Sequence, residues 1–286
     1  MSAVRHSHYE SDDGLKLYYA DYGATEASCT VVCLPGLTRN SRDYESLAQH
    51  LAARYRVIAP DLRGRGRSSW DSKYLNYHPR TYARDVARLL ALLAPRNLVL
   101  IGTSLGGLVA ALLARDGLAA LRAVVLNDIG PELDPAGIAR IAGYVGATGP
   151  FDDWSAATEI VRRNNEYALP DLSGTQWQRF TRALCRTTTD GHIVFDYDPA
   201  IGQAFREGAG GPLDLWQAFD GLATVPTLLL RGANSDILSR ATVERMQQRL
   251  RRLTVVEVSG RGHAPLLDEP ESLDAIDRLL LSFGHG

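Results

Sequence analysis

The chain has 286 residues, with 31 basic side chains against 33 acidic ones and a net charge of −2, the two signs mixed along its length. That balance excludes a nucleic-acid face or a membrane-attracting basic patch, no apolar run reaches transmembrane length, and the first residues lack a stretch apolar enough for a signal peptide. One α/β domain accounts for the length, a soluble cytoplasmic protein is expected, and Cys29, Cys33 and Cys185 fit no metal-ligand spacing.

Residues 7–22 alternate around Asp13-Gly14, which predicts an opening antiparallel hairpin. Thr30 to Gly36 is a continuous apolar run ending in Pro-Gly, as expected of a strand covered on both faces of a parallel sheet. Cys33, inside it, reads as an inert core thiol. Ser41 is placed to cap a helix with Tyr44, Leu47, Ala48 and Leu51 on one side. A strand at Arg56–Pro60 leads into Asp61-Leu62-Arg63-Gly64-Arg65-Gly66-Arg67-Ser68, whose glycine spacing reads as a turn and not as a basic patch. Thr81 is expected to open a helix reaching Leu93. Leu98–Ile101 then reads as a buried strand, Leu108–Ala114 as a buried helix and Leu121–Leu126 as the next strand.

Alternating strands and helices from 30 to 126 are the pattern of a mostly parallel sheet with helices on both faces. The alternation stops at Gly130. From there to Pro212 helices are predicted at Pro135–Val145, Asp153–Asn164 and Gly174–Thr187, with no convincing buried strand and with many aromatics and arginines. It resumes with a strand at Val225–Arg231, a helix at Arg240–Leu250, a strand at Leu253–Val258 and a helix at Pro270–Phe283.

The chemistry centres on Gly102-Thr103-Ser104-Leu105-Gly106, which joins a buried strand to a buried helix. A serine on so tight a turn needs glycines beside it, and the helix N-terminus behind it favours developing negative charge. Ser104 is therefore the candidate nucleophile; the alternative is a serine that only caps the helix. Serine needs a base, and histidine is the usual one near neutral pH. Of seven histidines, His6, His8 and His285 lie near the chain ends, His50 on a surface helix pattern, and His78 and His192 in polar loops. His263 follows the last strand in a glycine-rich loop, at the sheet edge that also carries Ser104 and where ligands of open α/β sheets bind. Orienting its imidazole takes a carboxylate. Asp128 and Asp236 both follow strands on that edge, and the one not used would cap a helix or brace a turn. The amides of Leu105 and Leu37 are placed to receive an oxyanion.

In this order, Leu34-Pro35-Gly36-Leu37, the 61–68 segment, Gly102 to Gly107 and Gly262-His263 resemble the α/β-hydrolase family over nearly the whole chain. The resemblance implies an eight-stranded sheet formed by 1–130 and 213–286, with 131–212 as a helical lid between strands six and seven. It implies a Ser-His-acid triad without cofactor or metal, acting on a small-molecule substrate. Many members carry His-Gly where this chain has Pro35-Gly36, so a side chain that often braces the oxyanion loop is missing. A serine nucleophile argues against epoxide hydrolase or haloalkane dehalogenase chemistry. In similar proteins the acid commonly stands three residues after the glycine ending strand seven, and that position here is Ser235; Asp236, one residue on, would turn the opposite way. Some members take the acid after strand six, which favours Asp128 over Asp236. The expected activity is hydrolysis of a small ester, thioester or lactone. Hydrolysis of a carbon–carbon bond in a ring-cleavage product is the alternative, and a non-catalytic ligand-binding protein is the alternative of another class. Tyr144, Trp154 and Trp177 in the inserted block are candidate pocket liners.

Overall fold

The computed structural model describes residues 4–147 and 149–283, so the first three residues and His285 lie outside the described residues. In chain order, β1 (Arg5–Glu10) and β2 (Lys16–Tyr22) form the expected hairpin, with Gly14 at φ +85° in its turn. Then come β3 (Thr30–Leu34), α1 (Glu45–Leu51), β4 (Arg56–Pro60), α2 (Pro79–Leu93), β5 (Leu98–Thr103), α3 (Leu105–Arg115) and β6 (Leu121–Asn127). The block that follows holds α4 (Pro135–Ala142), α5 (Trp154–Asn165), α6 (Gly174–Leu184), β7 (Cys185–Thr187), β8 (Ile193–Phe195) and α7 (Ala200–Glu207). The chain closes with α8 (Leu215–Asp220), β9 (Thr227–Gly232), α9 (Arg240–Arg249), β10 (Leu253–Val258) and α10 (Pro270–Leu281).

Eight strands form one sheet in the order β1-β2-β4-β3-β5-β6-β9-β10. β2 runs against its two neighbours and every other pairing is parallel. Because side chains alternate along a strand, the central strands are apolar on both faces. Val32, Leu34, Ile58, Leu100, Leu126 and Leu229 pack in the core with the apolar sides of α2 and α3. Val31, Cys33, Val57, Ile101 and Leu230 pack with those of α1 and α10. Each such aliphatic side chain contributes roughly 1.5–3 kcal/mol of burial. Burial also raises the Cys33 thiol far above its ordinary range, as befits an inert core residue.

Three local expectations are corrected. Asn40, not Ser41, caps the helical turn before α1, accepting from the Arg42 amide, while Ser41 is buried with its amide on Asp61. α2 begins at Pro79, two residues before Thr81, because proline suits a first helical position and His78 accepts the Arg80 amide. The helix expected over Gly174–Thr187 stops at Leu184, because Cys185–Thr187 pairs as β7 with β8 in a short, partly exposed antiparallel ladder around a turn with Gly191 at φ +88°. The 61–68 segment is a turn, yet its arginines are not a surface cluster: Arg63 is buried against Asp85, Asp71 and Asp13 at 2.6–2.9 Å. Among the described residues no helix is long and apolar enough to cross a membrane.

Candidate active site

Ser104 stands between β5 and α3 at φ 52° and ψ −117°, a backbone conformation that costs a non-glycine residue energy and persists only where its surroundings impose it. Glycines impose it. A Cβ at Gly102 would overlap the backbone of Gly106 and Gly107, and one at Gly106 would overlap the Leu34 carbonyl of β3. The serine makes no side-chain cap on α3. Its hydroxyl lies 2.8 Å from His263 Nε2 instead.

His263 Nδ1 lies 2.8 Å from Asp128 Oδ2. With Nδ1–H donating to that carboxylate, Nε2 is left as the acceptor for the serine hydroxyl. Asp128 is 0% exposed, and its position is set by β9: its own amide donates to the Leu230 carbonyl at 2.8 Å. The carboxylate also accepts the Gly232 amide at 2.9 Å and the Ser235 hydroxyl at 2.7 Å. A buried charge needs such donors.

Asp236 is placed elsewhere. Its oxygens take Arg140 of α4 in a fork at 2.6 and 2.9 Å. Partial burial pushes the Asp236 carboxyl up, but the Arg140 hydrogen bond and charge outweigh it and hold the group below its ordinary value. Nor does Asp236 cap α9, the role expected of the aspartate not used by the histidine: Ser239 does, accepting the Thr242 amide at 3.1 Å.

Several supporting residues escaped sequence reasoning. Asn127 donates to the Pro265 carbonyl at 2.9 Å and to Thr103 Oγ1 at 3.1 Å, tying β6 and β5 to the loop that carries His263. Tyr44 donates to the Leu34 carbonyl at 2.6 Å. A polar residue ending an apolar run directly before Asp128 was the available signal for Asn127. Ser235→Ala is expected to leave a buried carboxylate oxygen short of a donor, costing about 1–3 kcal/mol of stability. Gly232 and His263 still hold Asp128, so kcat should fall by no more than about tenfold, ~1.4 kcal/mol. Urea unfolding beside steady-state kinetics checks both values.

Two cavities meet at Ser104, His263, Leu37 and Ile141. One, about 110 Å³, carries polar groups from Thr38, Arg39, Tyr144, Asn164, Asn165 and Tyr197. The other, about 220 Å³, is walled mainly by aliphatic residues, among them Leu108, Ile138, Ile201 and Ala204. Of the three expected liners, Tyr144 lines the first of these cavities, and Trp154 and Trp177 line neither. Trp177 is buried inside the block beside Phe180, ring centroids 5.8 Å apart, and Trp154 packs against the same cluster under the Arg182 guanidinium. The physical reason is the amphipathic pairing of α5 with α6, which turns both side chains into the contact between the two helices and away from the cavities. Among the described residues, no hydrogen bond occupies the amide of Leu37 or of Leu105, and no three His, Cys, Asp or Glu side chains are grouped to hold a metal ion.

The model described as "Alpha/beta hydrolase family" matches residues 31–275. A 3-hydroxybutyrate-oligomer hydrolase of Cupriavidus necator is 33% identical over 269 residues, covering 90% of each chain. An esterase of Mycobacterium tuberculosis is 28% identical over 260 residues, covering 88% of this chain and 82% of that protein. The crystal structure of an alpha/beta hydrolase from Novosphingobium aromaticivorans superposes with a TM-score of 0.91 at 43% identity, covering 98% of this chain and 99% of that one.

Proposed function

Since the chain belongs to the alpha/beta hydrolase family, we propose that it is a serine hydrolase cleaving a small carboxylic ester, thioester or lactone through an acyl-enzyme. One observation carries this reading: an unbroken line of hydrogen bonds from Asp128 through His263 to Ser104, each 2.8 Å, at the carboxyl edge of the sheet. Ser104 Oγ attacks the substrate carbonyl while His263 Nε2 takes its proton, and Asp128 stabilises the imidazolium that forms. The carbonyl oxygen becomes an oxyanion received by the Leu37 and Leu105 amides. As the tetrahedral species collapses, His263 returns the proton to the leaving alcohol or thiol. A water, deprotonated by the same imidazole, then attacks the acyl-serine; as the acyl–oxygen bond breaks, His263 returns that proton to Ser104 Oγ and the acid is released.

In this reading residues 131–212 form the lid over a core of 1–130 and 213–286. The aliphatic cavity takes the hydrocarbon part of the substrate, and the cavity with Arg39, Asn164 and Asn165 takes its polar part. The relative acting on 3-hydroxybutyrate oligomers supports a short hydroxy-acid ester as the substrate class. A panel of p-nitrophenyl esters of graded length, beside lactones and a 3-hydroxybutyrate dimer, tests the assignment. Turnover of an ester with stoichiometric labelling of Ser104 by a fluorophosphonate is the expected result. A protein neither labelled nor active on any of them overturns it.

Ala204 lines the aliphatic cavity and is buried on α7. Ala204→Phe should fill that space and shorten the longest acyl chain accepted, lowering kcat/KM for octanoate esters about 10-fold or more while acetate esters change little. A chain-length profile of the variant reads this directly.

A further inference from the structure

Arg65 is 0% exposed, yet all of its hydrogen bonds go to carbonyl oxygens and none to a carboxylate. Arg63, two residues earlier, is surrounded by three carboxylates. A buried cation without a counter-charge is costly, so a position that keeps one calls for a reason. Arg65 lies over the Tyr82 ring at 4.6 Å and beside Tyr77 at 5.9 Å, and its Nη1 donates to the Arg63 carbonyl at 2.6 Å. The rest of the fork closes on one atom: Nε and Nη2 both donate to the Leu37 carbonyl, at 2.9 and 2.7 Å.

Leu37 sits in a turn closed by the Arg39 amide on the Gly36 carbonyl at 3.2 Å. In a four-residue turn the central peptide, here Leu37–Thr38, is the unit that flips between the common turn types. The fork holds that peptide in one orientation. The backbone on either side of Arg65 is itself held, because the Gly66 amide donates to the Asp196 carbonyl at 3.0 Å and the Asp198 amide to the Gly64 carbonyl at 2.8 Å. We propose that Arg65 is the positioning residue of the oxyanion loop: it fixes the turn that presents the Leu37 amide, and its unneutralised charge favours the oxyanion over the neutral ester. It thus serves the place where the sequence carries Pro35 in front of Gly36 and no bracing histidine. The inference rests on the serine-hydrolase reading above, and an arginine held by carbonyls beside an oxyanion donor costs no reorganisation when the charge develops.

Arg65→Met, Arg65→Lys and Ser104→Ala, assayed with the intact enzyme on one p-nitrophenyl ester, separate the possibilities. Arg65→Met should lower kcat about 10- to 100-fold with KM within threefold, and weaken an alkylboronic acid, which adds to Ser104 as a tetrahedral anion, by the same factor as kcat/KM falls. Arg65→Lys, which keeps the charge and loses the fork, should recover part of kcat. A folded Arg65→Met with kcat within threefold of the parent, however much its Tm drops, reduces Arg65 to a structural residue and overturns the proposal. Should the methionine variant fail to fold, the lysine variant decides alone: unchanged kcat and boronate affinity overturn the proposal, and a loss of both with KM held supports it. Activity retained in Ser104→Ala overturns the serine reading itself, an outcome distinct from unchanged Arg65 variants beside an inactive Ser104→Ala.

Discussion

Ser104→Ala is expected to lower kcat/KM by at least several hundred-fold, toward the roughly 10⁶-fold seen when a serine nucleophile is removed from a comparable triad. The hydroxyl would be the only atom that forms a bond to the substrate, so its loss leaves whatever the oxyanion amides and binding provide. Stability should change little. The Ser104 side chain makes no cap on α3, and its hydroxyl bonds to His263. Alanine inherits the same backbone strain at φ 52° without adding to it. Matching thermal melts with lost turnover, and loss of the fluorophosphonate mass shift, are the expected pair of results. Near-parental activity in the variant removes Ser104 from the mechanism.

Asp128→Asn should cut kcat by about 10⁴-fold with little change in KM, because an amide facing Nδ1 favours the wrong imidazole tautomer and cannot balance an imidazolium. The amide would also lose charge against the Gly232 and Ser235 donors, so a loss of about 1–3 kcal/mol in stability should accompany it. Asp236→Asn is the matched control. It trades an ionic fork to Arg140 for a weaker bond at a partly exposed site, where ion pairs contribute less than about 1 kcal/mol. Its kcat should stay within several-fold of the parent. The opposite pattern, a crippled Asp236→Asn beside an active Asp128→Asn, reverses the assignment of the acid.

What the chain order alone determined is what neighbouring residues can impose on each other. Apolar runs such as Thr30–Leu34 and Leu98–Ile101 specify strands covered on both faces. Glycine on either side of Ser104 admits a turn that no larger side chain would allow, and Asp13-Gly14 sets the opening hairpin. Periodicity and sterics act over a few residues, so these features, and the sheet edge shared by Ser104 and His263, were legible without coordinates. Partners far apart along the chain were not. Asp128 and Asp236 end adjacent strands, and what separates them is that β9 receives the Asp128 backbone while α4 brings Arg140 to Asp236. Ser235 stands where similar proteins commonly carry the acid and instead donates its hydroxyl to Asp128, 107 residues away. The aromatic-rich block showed three of its helices, though not α7 and not which way they face: Trp154 and Trp177 pack in the cluster between α5 and α6, while Tyr144 lines the cavity. Arg63 and Arg65 share one glycine-spaced turn and the same charge; burial among three aspartates in one case, and against the Leu37 carbonyl in the other, is decided by what the folded chain brings to each. Local sterics are written in adjacent residues, whereas the pairing of buried charges depends on distances that exist only after the sheet has closed.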